Sequence, residues 1–300
     1  MSPVSKKWAR PLEGRVAVVT GAARGLGAAV AGGLAERGAT VALLGRNARG
    51  LESVAQSMAG GCGWWEVDVT DDAAMHRTAA QVREKLGVPS VVVANAGVAE
   101  GGPFATSDAA TWRRVIEVNL IGSAITARAF LPDLLTSRGY YLQIASLASM
   151  GASPMMSAYC ASKAGVESFA HALQAEVAHQ GVGVGIAYLN WTDTDMIRDA
   201  DQHAVLRELR AHIPLPARKV YPVHTVAARM VRAVERRSAA VYAPGWLRTV
   251  QPFRAVLPPL VTRISRTELP RLGARRPFEA TGLLGAGGHD DTTVSPDDHH

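Results

Sequence analysis

Three hundred residues, 48% hydrophobic and 19% charged, suffice for one large α/β domain or two small ones and exclude a mostly disordered chain. The net charge of +6 comes mostly from an arginine-rich stretch between Arg207 and Arg276, and no DNA- or RNA-binding signature accompanies it, so a nucleic-acid partner is not expected. Cys62 and Cys160 lack metal-ligand spacing, so no metal site is expected and Cys160 reads as a free thiol.

Residues 1–14 are polar and short of the apolar core of a signal peptide, and no run of eighteen uncharged apolar residues occurs. The expectation is a cytoplasmic chain without a spanning helix.

In chain order, short apolar runs alternate with helical patterns. Strands are predicted at 15–20, 40–44, 63–67, 90–94, 140–145 and 182–189. Helices are predicted at 25–37, 48–58, 72–86, 109–135 and 157–179. Continuous apolar strands, each followed by a helix, imply a buried parallel sheet with helices on both faces: a doubly wound, three-layer α/β/α Rossmann fold. After Leu189 the rhythm breaks. Residues 192–215 read as a mobile segment with one or two short helices, 223–237 as a helix and 239–243 as an edge strand. The predicted organisation is an N-terminal arm (1–13), one dinucleotide-binding domain (14–245), an amphipathic arginine-rich extension (246–276) and a disordered tail (277–300). In the extension Trp246, Val250, Phe253, Leu257, Leu260 and Ile264 recur at helical spacing, but Pro252, Pro258 and Pro259 predict a short or kinked helix.

The turn Thr20-Gly21-Ala22-Ala23-Arg24-Gly25-Leu26-Gly27 joins the first strand to the first helix. Glycines there let a pyrophosphate approach backbone amides, and the helix start offers unpaired N–H groups and a positive dipole end. The second strand ends Leu44-Gly45-Arg46-Asn47, with no carboxylate to bond a ribose 2′-hydroxyl. Arg46, with Arg24 in the glycine turn, suits a 2′-phosphate instead, so the expected cofactor is NADP(H) rather than NAD(H).

Tyr159 and Lys163 lie four residues apart, on one face of a predicted helix, thirteen residues beyond Ser146 at a strand end. A nearby ammonium favours phenolate and is expected to bring the tyrosine toward the working range of a proton donor and acceptor. Ser146 is placed to bond a substrate oxygen. Asn119, inside the long helix 109–135, is expected to anchor a water or bend the helix.

Over residues 14–245 the chain resembles the short-chain dehydrogenase/reductase family, in its small single-domain branch. The resemblance rests on the glycine turn, on Asp68 in Val67-Asp68-Val69, on Asn95-Ala96-Gly97, and on Asn119, Ser146 and Tyr159-x-x-x-Lys163. It implies Tyr159 as general acid/base and Ser146 as the group that orients the carbonyl. It implies that Lys163 binds the cofactor ribose and tunes Tyr159, and that Asn119 supports a proton relay. It places Asp68 and Val69 on the adenine and Asn95 on the central strand and adenosine ribose. Thr194 falls where the family's threonine bonds the nicotinamide carboxamide, and Thr192 beside it is expected to contact the cofactor. Leu189-Asn190 stands where the family usually carries Pro-Gly, and Asn190 is expected to supply a left-handed turn.

The function expected is NADP(H)-dependent interconversion of a ketone or aldehyde and its alcohol. The alternatives are an NAD-dependent secondary-alcohol dehydrogenase and a non-catalytic nucleotide sensor or scaffold. The substrate pocket is expected from Ser146, Met155, Met156, Tyr159 and Trp191, with Met150, Pro154 and Met196 nearby, favouring a small apolar substrate. The resemblance implies a homodimer or homotetramer joined through helices 109–135 and 157–179. Membrane contact through 246–264 is the less favoured reading of the extension; packing on the core, over the cleft or on a second subunit is preferred.

Overall fold

The computed structural model describes residues 10–58, 61–213, 215–275, 277–285 and 287–288. Most of the predicted arm, and residues 289–300 of the predicted tail, lie outside them.

Every residue of β1 (Val16–Thr20) is buried, because helices cover both faces of the strand. α1 (Gly25–Glu36), β2 (Thr40–Gly45), α2 (Ala48–Ser57), β3 (Cys62–Glu66), α3 (Asp72–Leu86) and β4 (Pro89–Ala94) continue the alternation. Asn47 and Asp71 accept backbone N–H bonds from Gly50 and Ala74, satisfying donors at the starts of α2 and α3. A two-residue strand β5 (Ala99–Glu100) precedes α4 (Ala109–Ile116), which runs through a π-turn at Glu117–Ile121 into α5 (Gly122–Ser137). β6 (Tyr140–Ile144), α6 (Ser157–Val177), β7 (Gly183–Leu189), α7 (Asp195–Gln202), α8 (Ala204–His212), α9 (Val223–Arg236) and β8 (Ala240–Ala243) complete the sheet and its covers. Within 192–215 the two short helices α7 and α8 occupy most of the expected mobile segment.

The sheet runs β3-β2-β1-β4-β6-β7-β8, parallel throughout. One core cluster joins one face of the sheet to α1 and α9 through Val30, Leu34, Met230 and Val231. The other joins the opposite face to α3, α5 and α6 through Met75, Val82, Phe130 and Leu173. Connections from β1 and β4 leave to opposite sides, so a crevice opens at the carboxyl ends of these two strands. The continuous helical run 109–137 has the length and apolarity of a membrane span, but more than half of its most apolar window is buried in the protein, as befits a core helix.

The extension differs from expectation. α10 (Leu247–Val250) and a 3₁₀ segment (Gln251–Val256) lead into α11 (Leu257–Arg275), a helix of 19 residues. Pro258 and Pro259 fall in its first turn, where no intrahelical N–H bond is lost, so they start the helix rather than break it. The tail also departs from the predicted disorder: β9 (Leu283–Leu284) pairs antiparallel with β5.

The extension is tied to α6 by Glu167, whose carboxylate, in a residue 2% exposed, takes bonds from Arg254 and from the Tyr188 hydroxyl, the latter at 2.8 Å. Burial alone would raise this carboxyl, but hydrogen bonds from Arg254, Ser149 and Tyr188 and the Arg254 charge hold it below its ordinary value. Arg254→Ala is expected to cost about 1.5–3 kcal/mol, because it strips a buried charge of its partner. Calorimetric unfolding at neutral pH checks this. A depressed carboxyl pKa contributes stability that is present above 4.5, its ordinary value, and lost as pH falls through the folded value. The destabilisation by Arg254→Ala should therefore shrink in acid.

Candidate active site

The crevice is a cleft of about 260 Å³. Its floor begins where β1 ends. Thr20 Oγ1 accepts the backbone N–H groups of Asn95 and Ala96, each at 3.0 Å, and Asn95 Nδ2 donates to the Thr20 carbonyl at 3.0 Å. These bonds lock the ends of β1 and β4 together. A Cβ on Gly27 would lie 2.2 Å from the Gly21 carbonyl oxygen, so no side chain fits between the turn and α1. No side chain caps the first turn of α1, and its amides face the cleft, as an anionic pyrophosphate requires. The cradle fits a dinucleotide.

Gly21, Arg24, Gly25, Leu26, Gly27, Arg46, Asp68, Val69, Asn95, Ala96, Gly97, Thr192 and Thr194 all line this cleft, together with Ser146, Tyr159 and Lys163. At one end, Arg46 Nη1 lies 3.9 Å from Asp68 Oδ2, and its Nη2 donates to the Gly287 carbonyl at 2.7 Å. Arg114, from α4, pairs with Asp68 at 2.5 Å. Burial would raise the Asp68 carboxyl, but hydrogen bonds from Thr70 and the Arg114 guanidinium hold it below the ordinary range.

At the other end, Ser146 follows β6, and the first two turns of α6 deliver Tyr159 and Lys163. Tyr159 faces Ser146, and Lys163 Nζ lies 5.6 Å from the Tyr159 ring centre while donating to the Ile144 carbonyl at 3.2 Å. The expected lowering of Tyr159 is not what the cleft produces. Burial pushes its hydroxyl up; the Ser146 hydroxyl opposes, and the Cys160 and Glu100 charges add to the rise. Burial likewise lowers Lys163, to about 8.

Asn119 does not line the cleft. It is fully buried beneath it, accepting the Val98 N–H at 2.8 Å and donating to the Val98 carbonyl and to Ser162 Oγ, each at 2.9 Å. A Cβ on Gly97 would lie 3.1 Å from Asn119 Oδ1 and 3.6 Å from Lys163 Nζ, so only bare backbone separates the amide from the ammonium. The expected bend takes the form of the π-turn around Asn119, and its side chain positions the strand end and α6.

The segment after β7 keeps its shape without a left-handed Asn190, which is absent from the residues with positive φ. Instead Asn190 Nδ2 donates to the Ala217 carbonyl at 2.9 Å, and Thr192 Oγ1 donates to the Asn190 carbonyl at 3.0 Å. Thr192 bridges in parallel to Tyr221. Asn190, Thr192 and Thr194 line the cleft, whereas Trp191 is not among its lining residues and lies under the Arg210 guanidinium at 5.9 Å.

Met155 and Met156 also stand off the cleft lining. They gather with Ala99, Met196, Ala200, Leu206 and Leu284 in an apolar cluster beside Tyr159, formed by the loop before α6, by α7 and α8, and by the tail. Met150 is buried in the main core. Met155 has φ +67°, a conformation sparsely populated by non-glycine residues, which marks this loop as locally strained. Glu100, Leu284, Gly285 and Gly287 lie at or beside the site and were not singled out by the sequence, whereas Met196, expected near the substrate, lines the cleft. Glu100 Oε1 accepts the Ala158 N–H at 3.0 Å at the start of α6, and burial raises its carboxyl. The tail residues carry no readable signal, because two residues make too short a strand for any periodicity.

Comparison with known proteins agrees with this geometry. A family model described as short chain dehydrogenase matches residues 15–204. The cis-4-hydroxycyclohexanecarboxylate dehydrogenase of Sinomonas cyclohexanicum is 37% identical over 61% of this chain and 75% of its own length. The 3-oxoacyl-[acyl-carrier-protein] reductase of Pseudomonas aeruginosa is 32% identical over 68% of this chain and 84% of its own. Among solved structures, one from Beutenbergia cavernae, described as an NAD(P)-dependent gluconate 5-dehydrogenase with bound NADP, superposes with a TM-score of 0.72 at 28% identity, covering 80% of this chain and 99% of that one. A metagenomic short-chain oxidoreductase in complex with NADP superposes with a TM-score of 0.57 at 34% identity, covering 59% and 83%. With its matching sequence and its parallel seven-stranded sheet, the chain belongs to the short-chain dehydrogenase family and is an oxidoreductase acting on CH–OH groups with NAD(P).

Proposed function

We propose that the protein interconverts a small apolar ketone or aldehyde and its alcohol, with NADP(H) as cofactor and Tyr159 as general acid/base. The observation that carries this reading is the convergence of Ser146, Tyr159 and Lys163 at one end of a cleft whose other end holds Arg46. When bound, NADPH supplies the hydride. Ser146 Oγ donates to the substrate oxygen and orients it. Tyr159 Oη holds a proton at neutral pH, since burial raises its pKa, and delivers it as negative charge develops on that oxygen. The Lys163 ammonium stabilises the phenolate left behind and would hold the cofactor ribose. Asn119 holds Val98 and α6 in register from beneath. The methionine-rich cluster beside Tyr159 excludes water and adapts to apolar shapes.

Side-by-side fluorescence titrations with NADPH and NADH test the cofactor. Clearly tighter NADPH binding is expected. Preference for NADH would favour an NAD-dependent alcohol dehydrogenase, and binding of neither a non-catalytic role. The relatives' names differ in substrate, so a panel of cyclic and linear ketones tests the apolar preference. We further propose a homo-oligomer through α5 and α6, where Ala127, Leu131, Leu135, Phe169 and Leu173 line a shallow apolar surface. Sedimentation velocity of a Leu131→Glu/Phe169→Glu variant should show the monomer.

A further inference from the structure

The face of α11 and of the 3₁₀ segment before it is apolar and turned outward. Phe253, Val256, Leu260 and Ile264 are 67%, 59%, 49% and 43% exposed. Their spacing of three, four and four puts them in one stripe, about 16 Å long at the rise of a helix. Pro252, Ala255, Pro258 and Pro259 are exposed around them and extend the patch. α11 packs on the protein through Leu257 in its first turn, which sits against Gly151, where an added Cβ would come within 3.2 Å, and through Leu272, which is buried. These contacts leave Phe253, Val256, Leu260 and Ile264 uncovered.

The charge around the stripe indicates what covers it. From Trp246 to Thr267 there are four arginines and no acidic residue, and of these Arg254 is paired with Glu167. Arg263 and Arg266 are exposed on α11 and make no hydrogen bond or ion pair among the described residues. A second copy docked through the same patch would bring like charges together without acidic partners. A nucleic acid would neutralise the arginines but leave an aromatic and three aliphatic side chains in water. A bilayer with anionic headgroups satisfies both: acyl chains take the stripe and headgroups take the guanidinium groups.

We propose that α11 and the segment before it form a peripheral docking surface for an anionic lipid bilayer, with Phe253, Val256, Leu260 and Ile264 entering the interface and Arg263 and Arg266 on the headgroups. The helix lies in the plane of the surface and does not span it. Leu257 adjoins the loop that follows Ser146, so docking holds that side of the protein close to the lipid.

The test is co-sedimentation of the full chain with vesicles of phosphatidylcholine, with and without phosphatidylglycerol, at low and high salt. The expected result is binding to phosphatidylglycerol vesicles at low salt that weakens with salt and on pure phosphatidylcholine. Phe253→Ser/Leu260→Ser/Ile264→Ser should lower partitioning by roughly tenfold or more. Arg263→Gln/Arg266→Gln should lower it by roughly twenty-five-fold and flatten the salt dependence, at about fivefold per arginine. Both variants should keep the parent's melting temperature, because the altered side chains are exposed. Two results overturn the proposal: no binding to anionic vesicles at low salt, or binding that the triple serine variant leaves intact. Loss of an oligomer in the triple variant, without vesicle binding by the parent, would assign the patch to a second copy instead.

Discussion

Tyr159→Phe is expected to lower the turnover of carbonyl reduction by about 10²–10⁴-fold, the usual worth of a positioned general acid, while NADPH binding stays close to that of the parent. The ring keeps its place on α6 and the cleft keeps its shape, so the loss isolates the hydroxyl that faces Ser146. Steady-state kinetics on any ketone the protein accepts, paired with a cofactor titration, checks this. Full turnover in the variant would remove Tyr159 from the chemistry. The pH dependence adds a second handle. Lys163 is lowered from 10.5 to about 8 by burial, so its ammonium is present below about 8 and lost above. The phenolate that forms as Tyr159 gives up its proton then loses its neighbouring charge. For reduction, kcat/KM should fall as pH rises through about 8, and a flat profile there would separate Lys163 from proton delivery. Stability moves the other way. Between about 8 and 10.5 the unfolded chain holds the Lys163 proton and the folded chain does not, so this group makes the fold more stable as pH rises through that window.

Arg46→Ala is expected to weaken NADPH binding by about 10- to 100-fold and to leave NADH binding nearly unchanged, because a charge-assisted bond to phosphate contributes about 1.5–3 kcal/mol. Arg46 stands at the end of β2, lines the cleft, and already directs one nitrogen at the Gly287 carbonyl and another toward Asp68. A phosphate dianion is a stronger acceptor than a carbonyl, so the guanidinium exchanges the Gly287 bond for the ligand's. Equal losses for both cofactors would place Arg46 on the shared part of the dinucleotide and away from the 2′-position.

Strands, helices and the nucleotide turn were legible in the sequence because their signals are local. The buried run Val16–Thr20 needs only its own apolar residues to read as a parallel strand, and the glycines after it need only their spacing. Tyr159 and Lys163 share a helix face by the pitch of the helix, so two of the converging groups could be paired before any fold was known. Asn119 was legible as an anomaly but not as a position. Its partners, Val98 and Ser162, lie 21 and 43 residues away, and only the packed structure shows that its amide is consumed beneath the cleft.

The same limit explains the misreadings. Three prolines argued for a broken extension, yet two of them fall in the first turn of α11, where a missing N–H costs nothing. The direction of Trp191 was set by the bridge from Thr192 to Tyr221, and the ordering of the tail by a two-residue pairing with β5 across some 180 residues. By itself, then, the sequence determined the α/β/α architecture and the dinucleotide turn and pointed to Ser146, Tyr159 and Lys163 as the proposed reactive trio, because each is written in nearby residues whose period or spacing has a direct physical meaning. The tertiary structure alone decided the proton affinities of Tyr159 and Lys163, the placement of Asn119, the apolar cluster beside Tyr159 and the outward face of α11. Those depend on burial and on partners distant in the chain, which no local pattern encodes.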